Sequence, residues 1–186
     1  MKRIFCLVVV FLLFCGCSGK SSYLDRALSI RQRILQAEGC SFDAVITADY
    51  GDKLHIFTLN CQVNKQGDLD FKVIEPESIS GITGTISEEN GKLKFDDKVL
   101  AFSTLADGQI VPVCAPWIFI RSLRSGYLNA CGKYEDGLEM IVDDSYQEDA
   151  LQLNIKTDAS DNPINAEILW KGRRILSLTI NNFSIV

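Results

Sequence analysis

The side chains with the most chemical potential in this sequence are one histidine, paired aspartates and seven cysteines. His55 has no candidate nucleophile near it in the sequence, so no Ser-His or Cys-His arrangement is indicated. Asp96-Asp97 and Asp143-Asp144 each follow a predicted strand and are typical of turns rather than of paired catalytic acids. Gly81-Ile82-Thr83-Gly84 lacks the spacing and the lysine of a phosphate-binding loop. We therefore predict that the protein is not an enzyme.

The N-terminal residues have the composition of an export signal. Lys2 and Arg3 form a short basic region, and an unbroken apolar run extends from Ile4 to Phe14. This run is about half the ~20 residues that a membrane-spanning helix needs. It predicts a signal peptide of residues 1–16 rather than a permanent span, and the mature chain is expected outside the cytoplasm.

Cys17 follows Gly16 at the end of this segment. The Gly-Cys ending resembles the lipobox of bacterial lipoproteins, in which the cysteine thiol receives fatty acyl chains such as palmitate. The resemblance implies lipid attachment at Cys17 and a lipidated tether of residues 17–22, which would anchor the chain to the extracytoplasmic face of the cell membrane. An ordinary secretory peptide and an uncleaved anchor are the alternatives.

Charge and length limit the classes of partner. Removal of residues 1–16 takes away two positive charges and changes the net charge from −5 to −7. An acidic chain without a basic cluster is a poor candidate for nucleic-acid binding. Residues 23–186 are long enough for a single domain with its own core.

Four cysteines remain after the predicted signal peptide and anchor are set aside: Cys40, Cys61, Cys114 and Cys131. They contain no closely spaced pair, and the sequence has one histidine, so neither a metal site nor another cofactor is indicated. Disulfides are permitted in an exported protein. The four thiols allow three pairings.

Cys40 and Cys61 flank a predicted hairpin and are the candidate disulfide. The turn lies within Tyr50-Gly51-Asp52-Lys53. A turn centred on Tyr50-Gly51 would place the two cysteines directly opposite each other, whereas a centre at Gly51-Asp52 would leave them diagonal on the same face. Two separate buried thiols are the alternative to a disulfide.

Two helices are predicted from apolar spacing and end signals. The first has Ser22 as a plausible N-cap, an apolar pattern at helical spacing, and Gly39 as a stop. The second covers Ala115 to Ser125, with a first-turn proline and Gly126 at its end. This second helix is apolar on most of its surface, so we expect it to be buried or to fill an apolar cavity. Its candidate ligand-binding residues are Trp117, Ile118, Phe119 and Ile120.

The remaining segments alternate with a period of two and are separated by turn residues, which predicts antiparallel strands. Leu151, Leu153 and Ile155 alternate with polar residues, for example. The predicted fold is mainly β (α+β), a long antiparallel meander curled into an incomplete β-barrel covered by two helices. Such a sheet is expected to enclose a groove or cavity.

The order of these parts resembles Firmicute lipoproteins of the LolA-like superfamily. The matching segments are Glu75 to Gly84, the helix start Ala115-Pro116-Trp117-Ile118, and the closing hairpin Ala166 to Arg173. The resemblance implies a half-barrel over residues 23–186 with an apolar cavity for acyl chains, and it implies no catalytic residues. The acyl-gating arginine of the carrier family cannot be assigned to a position of this sequence.

The sequence therefore supports two functions. The first is a membrane-anchored lipoprotein that binds a lipid or other apolar ligand in the cell envelope. The second is a protein-interaction module that senses or activates a partner protein of the envelope, for which an exposed apolar patch would be the sign.

Overall fold

The computed structural model describes residues 19–49, 54–88, 90–95, 98–102, 105–106 and 109–186. The first element is helix α1 (Gly19–Gln36). It begins ahead of the predicted N-cap Ser22, so residues 19–22 of the expected tether are helical. Cys17 and the predicted signal peptide lie outside the described residues.

The strands follow the predicted alternation closely. Their bounds are β1 (Gly39–Asp49), β2 (Leu54–Asn64), β3 (Leu69–Glu75), β4 (Thr83–Ile86), β5 (Gly91–Phe95), β6 (Lys98–Phe102), β7 (Leu105–Ala106), β8 (Gln109–Ile110), β9 (Tyr127–Tyr134), β10 (Gly137–Asp143), β11 (Leu151–Thr157), β12 (Pro163–Trp170) and β13 (Arg173–Ile185). A 3-10 turn, Glu77–Ile79, separates β3 from β4, and a second, Pro112–Cys114, leads into helix α2 (Ala115–Ser125). The small β7–β8 ladder was not expected from the sequence.

Eleven strands form one antiparallel sheet in the order β6-β5-β4-β3-β2-β1-β13-β12-β11-β10-β9. The sheet therefore consists of two meanders joined by the pairing of β1 with β13, which brings together strands from opposite ends of the folded chain. β6 and β9 are its two edges, so the sheet is not closed. The predicted incomplete β-barrel with two helices is confirmed.

The path of α2 follows from this strand order. The chain leaves the sheet at edge strand β6 and re-enters it at the other edge, β9, so the connection must cross a face of the sheet. α2 makes that crossing on the concave face, and its apolar residues pack against the inward side chains of the strands. The two helices contact each other, and the side chain of Arg31 on α1 donates to the Leu123 carbonyl oxygen of α2 at 2.8 Å.

The inward side chains of the strands form one core with the helices. Phe42, Leu59, Ile155 and Leu178 are almost completely buried, as are Ala27, Ile30 and Ile34 on one side of α1. The burial of these side chains stabilises the curled sheet, because it removes apolar surface from water. Among the described residues, no helix is both long and apolar enough to cross a membrane.

Gly137, the first residue of β10, packs against the backbone of β11. A Cβ atom at this position would lie 2.0 Å from the carbonyl oxygen of Thr157 and 2.7 Å from that of Asp158. Thr157 is held in place by its pairing with Pro163 of β12 and by the Leu138 backbone N–H, which donates to its hydroxyl at 3.0 Å. We expect Gly137→Ala to lower the free energy of unfolding by about 1–3 kcal/mol, measured by urea denaturation.

Gly132→Ala is the matched control, because a Cβ atom on Gly132 of the paired strand β9 would meet no atom within 4 Å. Its effect on the free energy of unfolding should stay within about 0.5 kcal/mol. Equal destabilisation by the two substitutions would contradict this account of the β10–β11 contact.

Candidate functional site

The four predicted ligand-binding residues lie in the first half of α2, and the structure places them in the core. The exposed fractions of Trp117, Ile118, Phe119 and Ile120 are 4, 1, 0 and 1 %. The Phe119 ring meets the Phe42 ring edge-on, with 5.9 Å between the ring centres. These contacts occupy the concave side of the sheet with protein side chains. A ligand would reach the last three residues only if α2 moved, so their binding role stays a prediction.

Trp117 differs from the other three because it also lines an open cavity. The cavity has a volume of about 750 Å³ and lies where α2, the end of α1 and two strand connections meet. Its apolar residues are Trp117 and Leu35. Its polar residues include Arg121, Arg124, Asp68 and Glu88. The cavity thus has an apolar part next to charged groups, as a site for an amphiphilic molecule requires.

Arg121 is held between an aromatic ring and a carboxylate. Its guanidinium carbon lies 4.8 Å from the centre of the Trp117 ring, within the range of a cation–π interaction. Its Nη2 donates to Asp144 Oδ2 at 2.9 Å. The other oxygen of Asp144 accepts from the Leu151 backbone N–H at 2.9 Å, which fixes the carboxylate. Arg121 is therefore a positioned side chain with its charge already paired.

Arg124 has a different environment. Its Nη2 donates to the backbone carbonyl oxygen of Lys65 at 2.7 Å, and its Nε lies 3.5 Å from the position that a Cβ atom on Gly67 would occupy. Gly67 has φ = +97°, so a side chain there would be strained as well as close to the guanidinium. Because this hydrogen bond is to a neutral carbonyl group, the positive charge of Arg124 can attract an anionic group in the cavity.

Helix α1 carries a second apolar side that leads to the cavity. Leu24, Leu28 and Leu35 are 43, 46 and 46 % exposed. At 100° per residue they lie within about 40° of one another around the helix axis. Arg31, which contacts α2, lies between Leu28 and Leu35 on the same side. We call Leu24, Leu28 and Leu35 the leucine stripe; its last member also lines the cavity.

The sequence did not distinguish this stripe from the core-facing side of the same helix. Leu24, Leu28 and Leu35 alternate with Ala27, Ile30 and Ile34 in one apolar pattern, and the exposed and buried members become distinct only in the folded chain. Arg121 and Arg124 were missed as site residues because a basic residue late in a helix is common for reasons of the helix dipole alone.

The disulfide candidate is not formed in this structure, in which Cys40 and Cys61 are free thiols. Cys40 pairs with Val63 and Cys61 with Phe42, so the two cysteines are diagonal, the arrangement expected for a turn centred on Gly51-Asp52. The Cβ atoms of diagonal residues on neighbouring strands are usually somewhat less than about 7–8 Å apart, whereas those of a disulfide are about 3.5–4.5 Å apart. A disulfide between Cys40 and Cys61 would therefore require the two strands to shift.

Burial makes these thiols poor nucleophiles. It raises the pKa of Cys40 to about 11, partly offset by the positive charge of Arg124, and the pKa of Cys114 to about 12. It raises the pKa of Cys61 further, with contributions from Asp43 and Cys40. Burial also raises the pKa of Cys131, although this residue is only partly buried.

The histidine and the aspartate pairs considered in the sequence analysis are described next. His55 is an exposed residue of β2. Asp143 accepts hydrogen bonds from the side chains of Asn129 and Gln152, and Asp144 pairs with Arg121. Asp96-Asp97 lies outside the described residues. Within the described ranges, no three His, Cys, Asp or Glu side chains are grouped so that they could hold a metal ion.

No protein-family model and no curated protein sequence matches this chain. Solved structures are similar to it in fold. An uncharacterized conserved protein from Thermus thermophilus has a TM-score of 0.47 at 12 % identity, over 89 % of this chain and 86 % of that chain. The LolA superfamily protein NE2245 from Nitrosomonas europaea has a TM-score of 0.44 at 11 % identity, over 91 % and 94 %. The Mycobacterium tuberculosis lipoprotein LppX has a TM-score of 0.41 at 9 % identity, over 87 % and 93 %. Each of these likenesses concerns the overall structure, at 9 to 12 % sequence identity.

The raised pKa values predict an order of thiol reactivity. With a pKa of about 11, about one Cys40 side chain in a thousand is a thiolate at pH 8. We expect iodoacetamide to label Cys131 about tenfold or more faster than Cys40, Cys61 or Cys114 in the native protein, measured by peptide mass mapping over time.

Unfolding the protein before labelling is the control and should make the four thiols react at similar rates. Native labelling of Cys40 or Cys61 as fast as that of Cys131 would contradict their burial. If Cys40 and Cys61 stayed unlabelled in the unfolded protein until a reductant was added, the disulfide predicted from the sequence would be present.

Proposed function

We propose that this protein is a membrane-anchored lipoprotein that binds a lipid or other apolar ligand in the cell envelope and catalyses no reaction. The observation that carries the proposal is the continuity of the leucine stripe on α1 with the open cavity at Trp117 and Leu35. Exposed leucines on a helix whose other side is already buried in the core are not needed for folding. They offer an apolar surface that ends at a charged cavity.

The dimensions of this surface suit one acyl chain. Leu24 and Leu35 are eleven residues apart, which corresponds to about 16.5 Å along a helix. Half the hydrocarbon thickness of a bilayer, the depth that one acyl chain occupies, is about 15 Å. An alkyl chain lying on the stripe would therefore extend from Leu24 to Leu35 and place its polar end in the cavity.

The charges of the cavity favour an anionic polar end. Arg121 is already paired with Asp144, whereas Arg124 donates to the carbonyl oxygen of Lys65 and forms no ion pair with the described residues. A guanidinium group binds carboxylate and phosphate groups through paired N–H donors. Asp68 and Glu88 also line the cavity and would repel such a group, so an anionic end would lie against the Arg124 guanidinium.

The proposed anchor is close in sequence to the proposed ligand site. The proposed lipid attachment residue, Cys17, precedes the first residue of α1 by two positions, so acyl chains attached there would hold the start of the leucine stripe next to the membrane. Two or three acyl chains, at about 0.8 kcal/mol per buried CH₂, hold a protein firmly at a bilayer. A ligand from the membrane would then need to travel only a short distance to the stripe.

Substitution of Leu35 tests the ligand site. The full chain is purified from membranes, its bound lipid is measured by native mass spectrometry, and the lipid is identified after organic extraction. We expect Leu35→Glu to reduce the bound fraction about tenfold, because a carboxylate replaces apolar surface against the alkyl chain. Arg124→Gln should shift the bound lipids from anionic to neutral classes.

Leu54→Glu is the control, since Leu54 is an exposed leucine on β2 and does not line the cavity. This variant should keep the lipid occupancy of the unsubstituted chain. A chain that arrives empty and also fails to take up fluorescently labelled palmitate would refute the proposed function. Equal loss in the Leu35 and Leu54 variants would show that the lipid is not bound at this site.

The anchor is tested by metabolic labelling. In cells grown with an alkyne analogue of palmitate, the chain should acquire the label, and Cys17→Ser should remove it and release the protein from the membrane fraction, because no acyl chain remains to be buried. Cys15→Ser should keep the label and the membrane location. Labelling that persists in the Cys17→Ser variant would place the lipid elsewhere.

A further inference from the structure

The convex face of the sheet carries exposed aliphatic side chains on strands β2 and β3. Ile56 is 55 % exposed and Ile74 is 43 % exposed, whereas Leu59, Cys61 and Val73, which face inward on the same strands, are buried. A register shift explains the position of Ile74. Thr58 pairs with Glu75 and Leu59 with Val73, so Ile74 is an extra residue in β3 and bulges from the ladder. Neither side chain contributes to the core.

These side chains line a cavity on the convex surface. Its volume is about 540 Å³, and its other lining residues include Glu75, Pro76 and Glu77. Ile74 also lines a second cavity of about 780 Å³, which reaches Asp43 on β1 and Asn182 on β13. The two cavities share Ile74, and we call them together the convex groove. It crosses β3, β2, β1 and β13, a width of about 14 Å at the usual strand spacing.

The far end of the convex groove is polar and ordered by hydrogen bonds. Asp43 Oδ1 accepts from Asn60 Nδ2 at 2.8 Å, and Asp43 Oδ2 accepts from Asn182 Nδ2 at 2.8 Å. Asn182 has φ = +55°, a left-handed conformation at the register shift between β1 and β13. These contacts orient two side-chain amides in the groove, and amides can both donate to and accept from a peptide backbone.

The charge of the convex groove is negative. Asp43, Glu75 and Glu77 supply three carboxylates, and Lys72 is the cation among the described residues that line it. Glu75 accepts from the Thr58 hydroxyl at 3.1 Å and is thereby held at the groove. A complementary occupant needs apolar bulk for the Ile56–Ile74 end and positive charge to offset the carboxylates.

We propose that the convex groove binds an extended segment of a partner protein that carries an aliphatic or aromatic side chain flanked by lysine or arginine. The distance of about 14 Å from β3 to β13 accommodates four or five residues of an extended segment that runs across the strands, at about 3.3 Å for each residue. The apolar side chain lies against Ile56 and Ile74, the basic residues face Glu75 and Glu77, and the amides of Asn60 and Asn182 contact the peptide backbone. This site lies on the opposite face of the sheet from the leucine stripe and does not depend on lipid binding.

The test uses a random peptide library displayed on phage, selected against the full chain. We expect the selected peptides to share an apolar residue flanked by lysine or arginine and to bind more weakly as the salt concentration rises. Ile56→Glu should lower the affinity of a selected peptide about tenfold or more, and Glu77→Lys should lower it several-fold. Val99→Glu, at a similarly exposed position of the same convex face on edge strand β6, should change it less than about twofold.

Each other occupant of the groove gives a different result, and any of these results overturns the proposal. Selected peptides that are acidic, or whose binding is unchanged by Ile56→Glu, would place the contact elsewhere. A dimer in analytical ultracentrifugation that disappears in the Ile56→Glu variant would assign the groove to a second copy of this chain. Weaker binding of that variant to phosphatidylglycerol vesicles would assign it to the membrane. Lipid occupancy of the Ile56→Glu variant should stay unchanged, which separates this test from that of the ligand site.

Discussion

The pairing of β1 with β13 is the interaction on which the rest of the structure depends. It extends from the Cys40–Ile185 pair to the Ala48–Leu176 pair and joins two meanders that would otherwise be separate sheets. Because these strands come from opposite ends of the folded chain, their pairing encloses nearly the whole domain between them, at a cost in chain entropy that the buried core offsets. The register shift within this pairing also places Asn182 beside Asp43 on the convex face.

The course of α2 and the filling of the interior follow from that pairing. Once β1 and β13 are central, β6 and β9 become the two edges, and the connection between them has to cross the concave face. A segment that crosses there needs apolar side chains on most of its surface. Trp117, Ile118, Phe119 and Ile120 meet this need, and their burial is explained by the core without any ligand. The open space remains beside α2, where Trp117 borders the cavity.

Both candidate sites contain exposed apolar residues that do not belong to the core. On α1, one side of the helix is buried in the core through Ala27, Ile30 and Ile34. The leucine stripe on the same helix remains exposed. On the convex face, Ile56 and Ile74 remain exposed. Exposed apolar groups gathered in one place mark contact surfaces more reliably than apolar groups in a core, because burial in the core already accounts for the latter. The two surfaces lie on opposite faces of the sheet, so one molecule could bind a lipid and a protein together.

The sequence by itself determined the fold class and most element bounds. Alternation of apolar and polar residues predicted β11 at Leu151–Thr157. A proline in the first turn and Gly126 after the last turn predicted α2 at Ala115–Ser125. Both signals are local in the sequence. Only the tertiary structure decided that β1 pairs with β13, that Cys40 and Cys61 occupy diagonal positions, and that the leucine stripe stays exposed. These features depend on strand register and on which helix side meets the sheet, and both are set by contacts between residues far apart in the chain. Hydrophobic periodicity indicates that one face of a helix or strand is apolar, whereas the packing of the whole chain decides whether that face is buried.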